Sequence, residues 1–350
     1  MTVLAEKNNA TVEFVLPPDR EAAAPPEARG LERDEVRLLV SQAGVVAHSV
    51  FRDLPRFLRA GDLVVVNDSA TMSAAVDARL GDTPVVLHLS TWLDDGRWVV
   101  EVRSTDGKPG PWAELDEEAT VLLPGGVEAR LHEPWLLPAR RLWTASISGD
   151  DDIRDWLPQH GRPISYAYVR ERWPARYYRT VFGRSYGSAE MPSAARPFTD
   201  HMVTDLVTSG VVVAPITLHT GVSSPEQGEP PSPERFDVPA TTARLVRQTR
   251  AAGGRVVAIG TTVTRALESV ADADGEVCAG SGWTDLVLGP HRPARVVDGL
   301  VTGWHAPGAS HLMLLEAVAG ADAVRAAYRA ALGGGYLWHE FGDSALLLRR

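Results

Sequence analysis

The chain has 350 residues, 44% of them hydrophobic and 23% charged, enough for two domains with sizeable cores. A formal net charge of -10 excludes a global pull toward phosphate backbones or anionic membranes, so any nucleic-acid partner has to meet a local basic patch. The single cysteine, Cys278, excludes an intramolecular disulfide and a cysteine-rich metal site. No apolar stretch approaches the roughly 20 residues of a membrane span, and the opening residues carry no charged-then-apolar signal pattern, so a cytoplasmic setting is expected.

In chain order, two proline clusters and a charged segment, "FVLPPDREAAAPPEARGLERDEVRLLV", predict an extended arm running into a strand from Val36 to Val40. "FRDLPRFLRAGDLVVVND" predicts a short helix stopped near Gly61, then a buried strand from Leu63 to Val66 that ends in Asn67-Asp68. From about Ala70 to Ile147 the texture changes to short alternating segments separated by Gly, Pro and Asp, the pattern of an antiparallel sheet or small barrel. After Asp150 helices alternate with buried strands, which implies an α/β layer. The expected architecture is therefore an α/β main domain, residues 1–69 and 150–350, with an inserted antiparallel β-barrel-like domain, residues 70–149, and a cleft between the two. The Pro/Ser/Glu-rich stretch from Gly221 to Phe236 predicts a long loop, either a lid or disordered.

Four segments offer chemistry. "GGRVVAIGTTVTRALES" predicts a strand, a turn and a helix whose start is capped by Thr261 or Thr262, with Arg265 and Glu268 about one turn on; the exposed amides there favour an anion. "VVVAPITLHTG" ends a buried strand in Thr217, His219 and Thr220. "VVDGLVTGWHAPGASHLMLLEAVAG" predicts a strand, then a turn holding His305, then an apolar helix, and Pro307 keeps that turn out of helix. The two strand-end histidines are candidate proton carriers near neutral pH, and neither has the partners a zinc site requires, so no metal is expected. Asn67 and Asp68 close a strand with an Asx turn as their simplest reading, and "FGDSALLL" reads as a hairpin closing the sheet. Finally "RPISYAYVRERWPARYYRTVFGRSYG" interleaves Arg170, Arg172, Arg176 and Arg179 with tyrosines and tryptophans, which suits phosphate contact and base stacking; a core filled by the aromatics, with the arginines paired to acids, suits it equally.

The order of "ERDEVRLL", "GDLVVVND", "YYRTVFGRSYGSAEMPSAARPFT", "VVVAPITLHTG", "GGRVVAIGTTVTRALES", "TDLVLGP", "VVDGLVTGWHAPGASHLMLLEAVAG" and "FGDSALLL" resembles the S-adenosylmethionine:tRNA ribosyltransferase-isomerases of queuosine biosynthesis along nearly the whole chain. The resemblance implies an α/β domain with an inserted β-barrel, no metal, and transfer of the ribosyl group of S-adenosylmethionine to a 7-aminomethyl-7-deazaguanine base in tRNA, with release of adenine and methionine. It implies proton abstraction beside the sulfonium, adenine loss and attack by the acceptor amine. By position it puts His219, Thr302 and His305 in the cleft, with Glu234 retained from a longer polar motif. The candidate catalytic residues are then His305, His219 and Glu234, and Thr217, Thr261, Thr262, Arg265, Glu268, Thr302, Asn67 and Asp68 are the candidate residues for S-adenosylmethionine. The chain also departs from the family: Pro197 stands where the family has a histidine, Ala70-Thr71-Met72 replaces Thr-Arg-Val, and Gly303-Trp304 replaces Asn-Phe. Because these losses fall on polar motif positions, the same pocket serving a small-molecule acceptor, or a non-catalytic RNA-binding paralogue, stand beside transfer to tRNA.

Overall fold

The computed structural model describes residues 12–105, 115–137, 140–149, 152–166, 168–169, 171–223 and 232–349. The N-terminal leader, Arg170 and residues 224–231 of the Pro/Ser/Glu-rich stretch lie outside them, and the last three residues of that stretch belong to a strand instead of the expected loop.

The arm leads into β1 (Arg37–Gln42), β2 (Val45–Val50), a 3-10 segment at Phe51–Phe57, β3 (Leu63–Asn67) and the short β4 (Ser69–Thr71). The predicted helix before Gly61 is only this 3-10 turn, since Pro55 lies inside it and supplies no amide for a continuing α ladder. Six strands follow: β5 (Ala75–Leu80), β6 (Thr83–Trp92), β7 (Trp98–Ser104), β8 (Thr120–Leu122), β9 (Glu128–Pro134) and β10 (Leu142–Ile147). They close into an antiparallel barrel in the order β10-β7-β6-β5-β8-β9. Closure removes free edges, and Val85, Leu87, Val100, Leu131 and Trp143 fill its core.

The chain then returns to the main layer through α1 (Ile153–His160), β11 (Ser185–Ser188), α2 (Asp200–Thr208), β12 (Val212–Leu218), β13 (Glu234–Val238), α3 (Ala240–Ala251), β14 (Val256–Ile259) and α4 (Thr261–Ser269). It ends with β15 (Gly280–Thr284), β16 (Gly299–Gly303), α5 (His311–Ala319), α6 (Ala321–Gly333) and β17 (Ser344–Leu348). Nine strands form one mixed sheet in the order β15-β13-β12-β3-β14-β16-β17-β1-β2. Its centre, β12-β3-β14-β16, is parallel throughout.

Every residue of β3 is buried, as a central parallel strand with both faces covered demands. Leu63 and Val65 pack with Val246, Ala258 and Leu300 on one face, while Val64 and Val66 pack with Phe51, Met202 and Leu206 on the other. The expected C-terminal hairpin is instead an interior strand: β17 runs antiparallel to β16 and parallel to β1, all five of its residues buried. An unbroken Ser-Ala-Leu-Leu-Leu run has no polar face to give to solvent. Four parallel strands thus deliver their carboxyl ends to one edge of the sheet, where open α/β sheets place ligand crevices.

The opposite edge is locked by Asp62. Its fully buried carboxylate accepts from the Arg59 amide at 3.0 Å, the Arg255 amide at 3.0 Å and Arg255 Nε at 3.1 Å, tying the start of β3 to the start of β14. Removing one partner of a buried pair leaves the other charge uncompensated, so Asp62→Ala should lower the unfolding free energy by about 3 kcal/mol. Urea denaturation with an unchanged slope checks this; a loss under about 1 kcal/mol would mean that Arg255 finds water instead.

Candidate active site

At the carboxyl edge lies a cavity of about 560 Å³. Its floor is built from strand-to-helix turns. β14 ends in Gly260, whose φ of 98° only glycine adopts easily, and Thr261 and Thr262 follow as the first turn of α4. Neither threonine caps that helix, since Gly260 occupies the cap position; both line the cavity. After β16 the turn is anchored by Trp304, buried against Tyr328 at a ring distance of 4.9 Å. The His305 amide donates to Tyr328 Oη at 3.2 Å and Trp338 Nε1 donates to the His305 carbonyl at 3.0 Å, so the backbone on both sides of the imidazole is fixed.

His305 Nε2 lies 3.1 Å from Thr302 Oγ1, and that hydroxyl donates to the Gly303 carbonyl. The threonine oxygen is therefore the acceptor for Nε2–H, which leaves Nδ1 with the free lone pair. The His305 ring stacks on His311 at 4.5 Å, with planes 2° apart. Burial, then the neighbouring His311 and His339, hold His305 well below its usual range; burial and Arg265 push His311 down to about 4. Both imidazoles are neutral at pH 7.

Arg265 and Glu234 meet across the cavity wall as a close ion pair. Arg265 also donates to the Leu286 carbonyl at 3.2 Å and the Thr284 carbonyl at 3.0 Å. Glu234 accepts from the Gly221 amide at 3.3 Å, and burial raises its carboxyl despite the arginine.

The other predicted residues sit elsewhere. Glu268 does not pair with Arg265. Fully buried, it gathers the amides of Arg295, Val296 and Val297 at 2.8–3.2 Å and the Arg292 guanidinium at 3.3 Å, holding the approach to β16 from behind. His219 Nδ1 bonds Ser69 Oγ at 2.7 Å, and burial lowers its affinity for a proton. Thr217 donates to Asp68 at 2.6 Å, and Asn67 bridges β3 to β12. None of these five is among the cavity-lining residues. Of the predicted RNA contacts, Arg172, Arg176 and Arg179 are exposed: Arg172 lies 3.4 Å from Asp77, Arg176 covers the Tyr177 ring, and the Arg179 carbonyl accepts from Arg33.

The sequence reading missed five groups on the wall: Tyr166, Tyr168, Glu190, His339 and Glu340. Tyr166 donates to Glu190 through a very short bond, and Ser223 adds its amide at 2.7 Å and its hydroxyl at 2.6 Å. Tyr168 donates to Glu340 Oε2 at 3.2 Å and stacks on His339 at 4.3 Å. Burial raises both carboxyls, and Glu190 drives Glu340 further, up to about 8. The usable signal was "WHEF" directly before a turn at the strand-end edge, and a lone acid, Glu190, just past β11.

Glu340 has a consequence for stability. Its folded-state value of about 8 lies above the ordinary 4.5, so between those pH values the unfolded chain has released a proton that the folded chain keeps. Stability from this group is present below the lower value and lost as pH rises through the upper one. With Glu190, Tyr168 and Arg196 unchanged around it, Glu340→Gln should gain in Tm over the parent as pH goes from 5 to 8. A gap that stays constant in thermal melts would show an unshifted carboxyl.

Comparison with known proteins places these features in one family. The family described as "Queuosine biosynthesis protein" matches residues 10–347. An S-adenosylmethionine:tRNA ribosyltransferase-isomerase of Heliobacterium modesticaldum is 35% identical, covering 97% of this chain and 99% of its own. A protein of the same name from Pelobacter propionicus is 34% identical over 90% of this chain and 94% of its own. Among solved structures, the S-adenosylmethionine tRNA ribosyltransferase of Thermotoga maritima is similar at a TM-score of 0.52 and 28% identity, covering 96% of this chain and 99% of that one. The chain belongs to the queuosine biosynthesis protein family.

Proposed function

We propose that this protein is an S-adenosylmethionine:tRNA ribosyltransferase-isomerase: it moves the ribosyl portion of S-adenosylmethionine onto a 7-deazaguanine base in tRNA. What carries the reading is coverage, since 97% of the chain aligns with a relative so named, and the aligned span includes every strand that frames the cavity. Residues 70–149 form in this reading an inserted domain, but none of its described residues lines the cavity, which is built from the main layer and the segment after the barrel instead of from the cleft expected between the two domains.

The geometry supports the following roles. The first-turn amides of α4 at Thr261 and Thr262 face the cavity with the positive end of a helix dipole and take the carboxylate of the methionine moiety. His305, neutral and with Nδ1 free, accepts the 5′ proton beside the sulfonium. The electron pair left on carbon drives loss of adenine, which leaves with the pair of its glycosidic bond and takes up a proton; the acceptor amine, having given up its extra proton, forms its bond to the sugar and loses a second one, and methionine leaves with the pair of the C–S bond. Thr302 fixes the tautomer; the Glu234–Arg265 pair shapes the pocket. Arg172, Arg176 and Arg179, exposed on one stretch, supply phosphate contacts, with Arg170 outside the described residues.

Adenine release should require both S-adenosylmethionine and tRNA carrying the 7-aminomethyl-7-deazaguanine precursor, read by chromatography. His305→Ala should cut kcat by about 100-fold or more with little change in affinity for S-adenosylmethionine. His219→Gln, away from the cavity, should keep kcat within about threefold; the reverse ranking would move the proton carrier to His219. Replacing Arg172, Arg176 and Arg179 together by Ala should raise KM for tRNA and flatten its salt dependence, leaving S-adenosylmethionine binding unaltered. An unchanged salt slope would locate the RNA on another face.

A further inference from the structure

The cavity carries more acid than its own cations can answer. Among the described lining residues Arg265 is the only arginine or lysine, and it is committed to Glu234. The lining histidines, His305, His311 and His339, are all held below their usual range by burial, so they add no positive charge at neutral pH. Against them stand the carboxyls of Glu21, Glu190 and Glu340. Glu340 keeps its proton at neutral pH while no cation is bound; a bound cation favours its carboxylate form, so the wall is complementary to a cationic ligand.

Within that wall, Glu190 and Glu340 are not equally satisfied. Donors hold Glu190 at both oxygens, from Tyr166 and Ser223. Glu340 Oε2 takes the Tyr168 hydroxyl, while its buried Oε1 has no hydrogen-bond partner among the described residues. In the carboxylate form that buried acceptor left unmade is costly and calls for a donor. Beside the two carboxyls run flat rings: Tyr166 and Tyr168 with centroids 5.8 Å apart and Tyr168 and His339 4.3 Å apart, each pair within 15° of parallel. His339 keeps this position at a φ of 73°, unusual for a residue with a side chain. Parallel rings at a cavity wall offer a face to a planar heterocycle.

We propose that the Glu190–Glu340 pair, with Tyr166, Tyr168 and His339, is the subsite that holds the protonated primary amine of a planar acceptor base and thereby selects an acceptor bearing an aminomethyl arm. The proposal rests on the ribosyl-transfer reading for the identity of the acceptor. The stretch that supplies both tyrosines, residues 162–187, also supplies the exposed Arg172, Arg176 and Arg179. A base projecting from RNA held on those arginines therefore enters beside the carboxyls, while the α4 turn with Thr261 and Thr262 serves the sulfonium substrate.

The test separates the subsite from the reaction. Calorimetry on the full chain compares the free base 7-aminomethyl-7-deazaguanine with its 7-methyl analogue, which keeps the ring and lacks the amine, and measures S-adenosylmethionine in parallel. The parent protein should prefer the amine by at least about tenfold. In the double variant Glu190→Gln, Glu340→Gln that preference should collapse to within about twofold, with S-adenosylmethionine affinity changed by less than about threefold. Should the double variant not fold, Glu340→Gln alone should still lower the preference at least about threefold. No amine preference in the parent, or a preference that survives the substitutions, overturns the proposal. So does loss of S-adenosylmethionine affinity with the base preference intact, which would give the pair to the sulfonium substrate's own ammonium. Turnover with tRNA is scored separately on the parent, so a failed reaction with an intact, glutamate-dependent amine preference would count against the ribosyl-transfer reading and not against the subsite.

Discussion

The Asn67 side chain is the joint on which the site depends. It is fully buried at the end of β3, the strand between β12 and β14. Oδ1 accepts from the Leu218 amide and the Ser69 amide, both at 3.0 Å, and Nδ2 donates to the Leu218 carbonyl at 2.8 Å, with Thr262 Oγ1 at 3.4 Å. One neutral amide thus satisfies the end of β12, turns the chain into β4 and reaches the first turn of α4. An aspartate would lose both donors and bring a buried charge, and a serine would not span the gap. Since the cavity floor is made of the turns after β12, β14 and β16, their relative positions are set largely here.

Around that joint the strand-end polar groups divide into two populations. Asp68, Thr217, Ser69, Ser188 and His219 bond to one another, at 2.6–2.7 Å for their closest contacts, and do not line the cavity. Glu268 does the same behind the site with three amides and an arginine. These groups spend their hydrogen-bonding capacity on the frame. The wall groups, Glu340 above all, keep capacity in reserve. A rigid frame of satisfied polar groups around a few unsatisfied ones is what preorganisation requires, because a loose frame would let the unpaired groups relax onto each other.

Much of this was legible from local pattern. The buried run Leu-Val-Val-Val-Asn, the alternating short segments of the barrel and the polar endings after apolar strands each declare themselves within ten residues. Placement of His305 in the turn between β16 and α5 follows from such a pattern too. What stayed hidden depends on which distant segments become neighbours. Tyr168 and Glu340 are 172 residues apart, and Asn67 and Leu218 are 151 apart. Nothing in the spacing of "HEFGD" says that β17 runs between β16 and β1, yet that insertion is what carries His339 and Glu340 to the edge where the parallel strands end. Likewise Glu268 and Arg265 are three residues apart on α4 and predict a pair, but the helix turns one toward β13 and the other toward the segment before β16.

Desolvation, one physical cause, then sets the charge state of the whole wall. It disfavours the charged form of every group, so imidazoles give up their protons more readily and carboxyls less readily. His305 and His311 move down while Glu190, Glu234 and Glu340 move up. An empty cavity at neutral pH is in consequence less charged than its composition implies, with bases ready to accept protons and an acid that still holds one. A cationic substrate reverses the balance on the acid side, because its charge favours the carboxylate form that burial alone suppresses. It leaves the neutral imidazole undisturbed or lowers it further, since like charges repel. The same burial that makes the carboxyls reluctant anions thus keeps His305 in the basic form when a sulfonium arrives, and the two functions need no separate tuning.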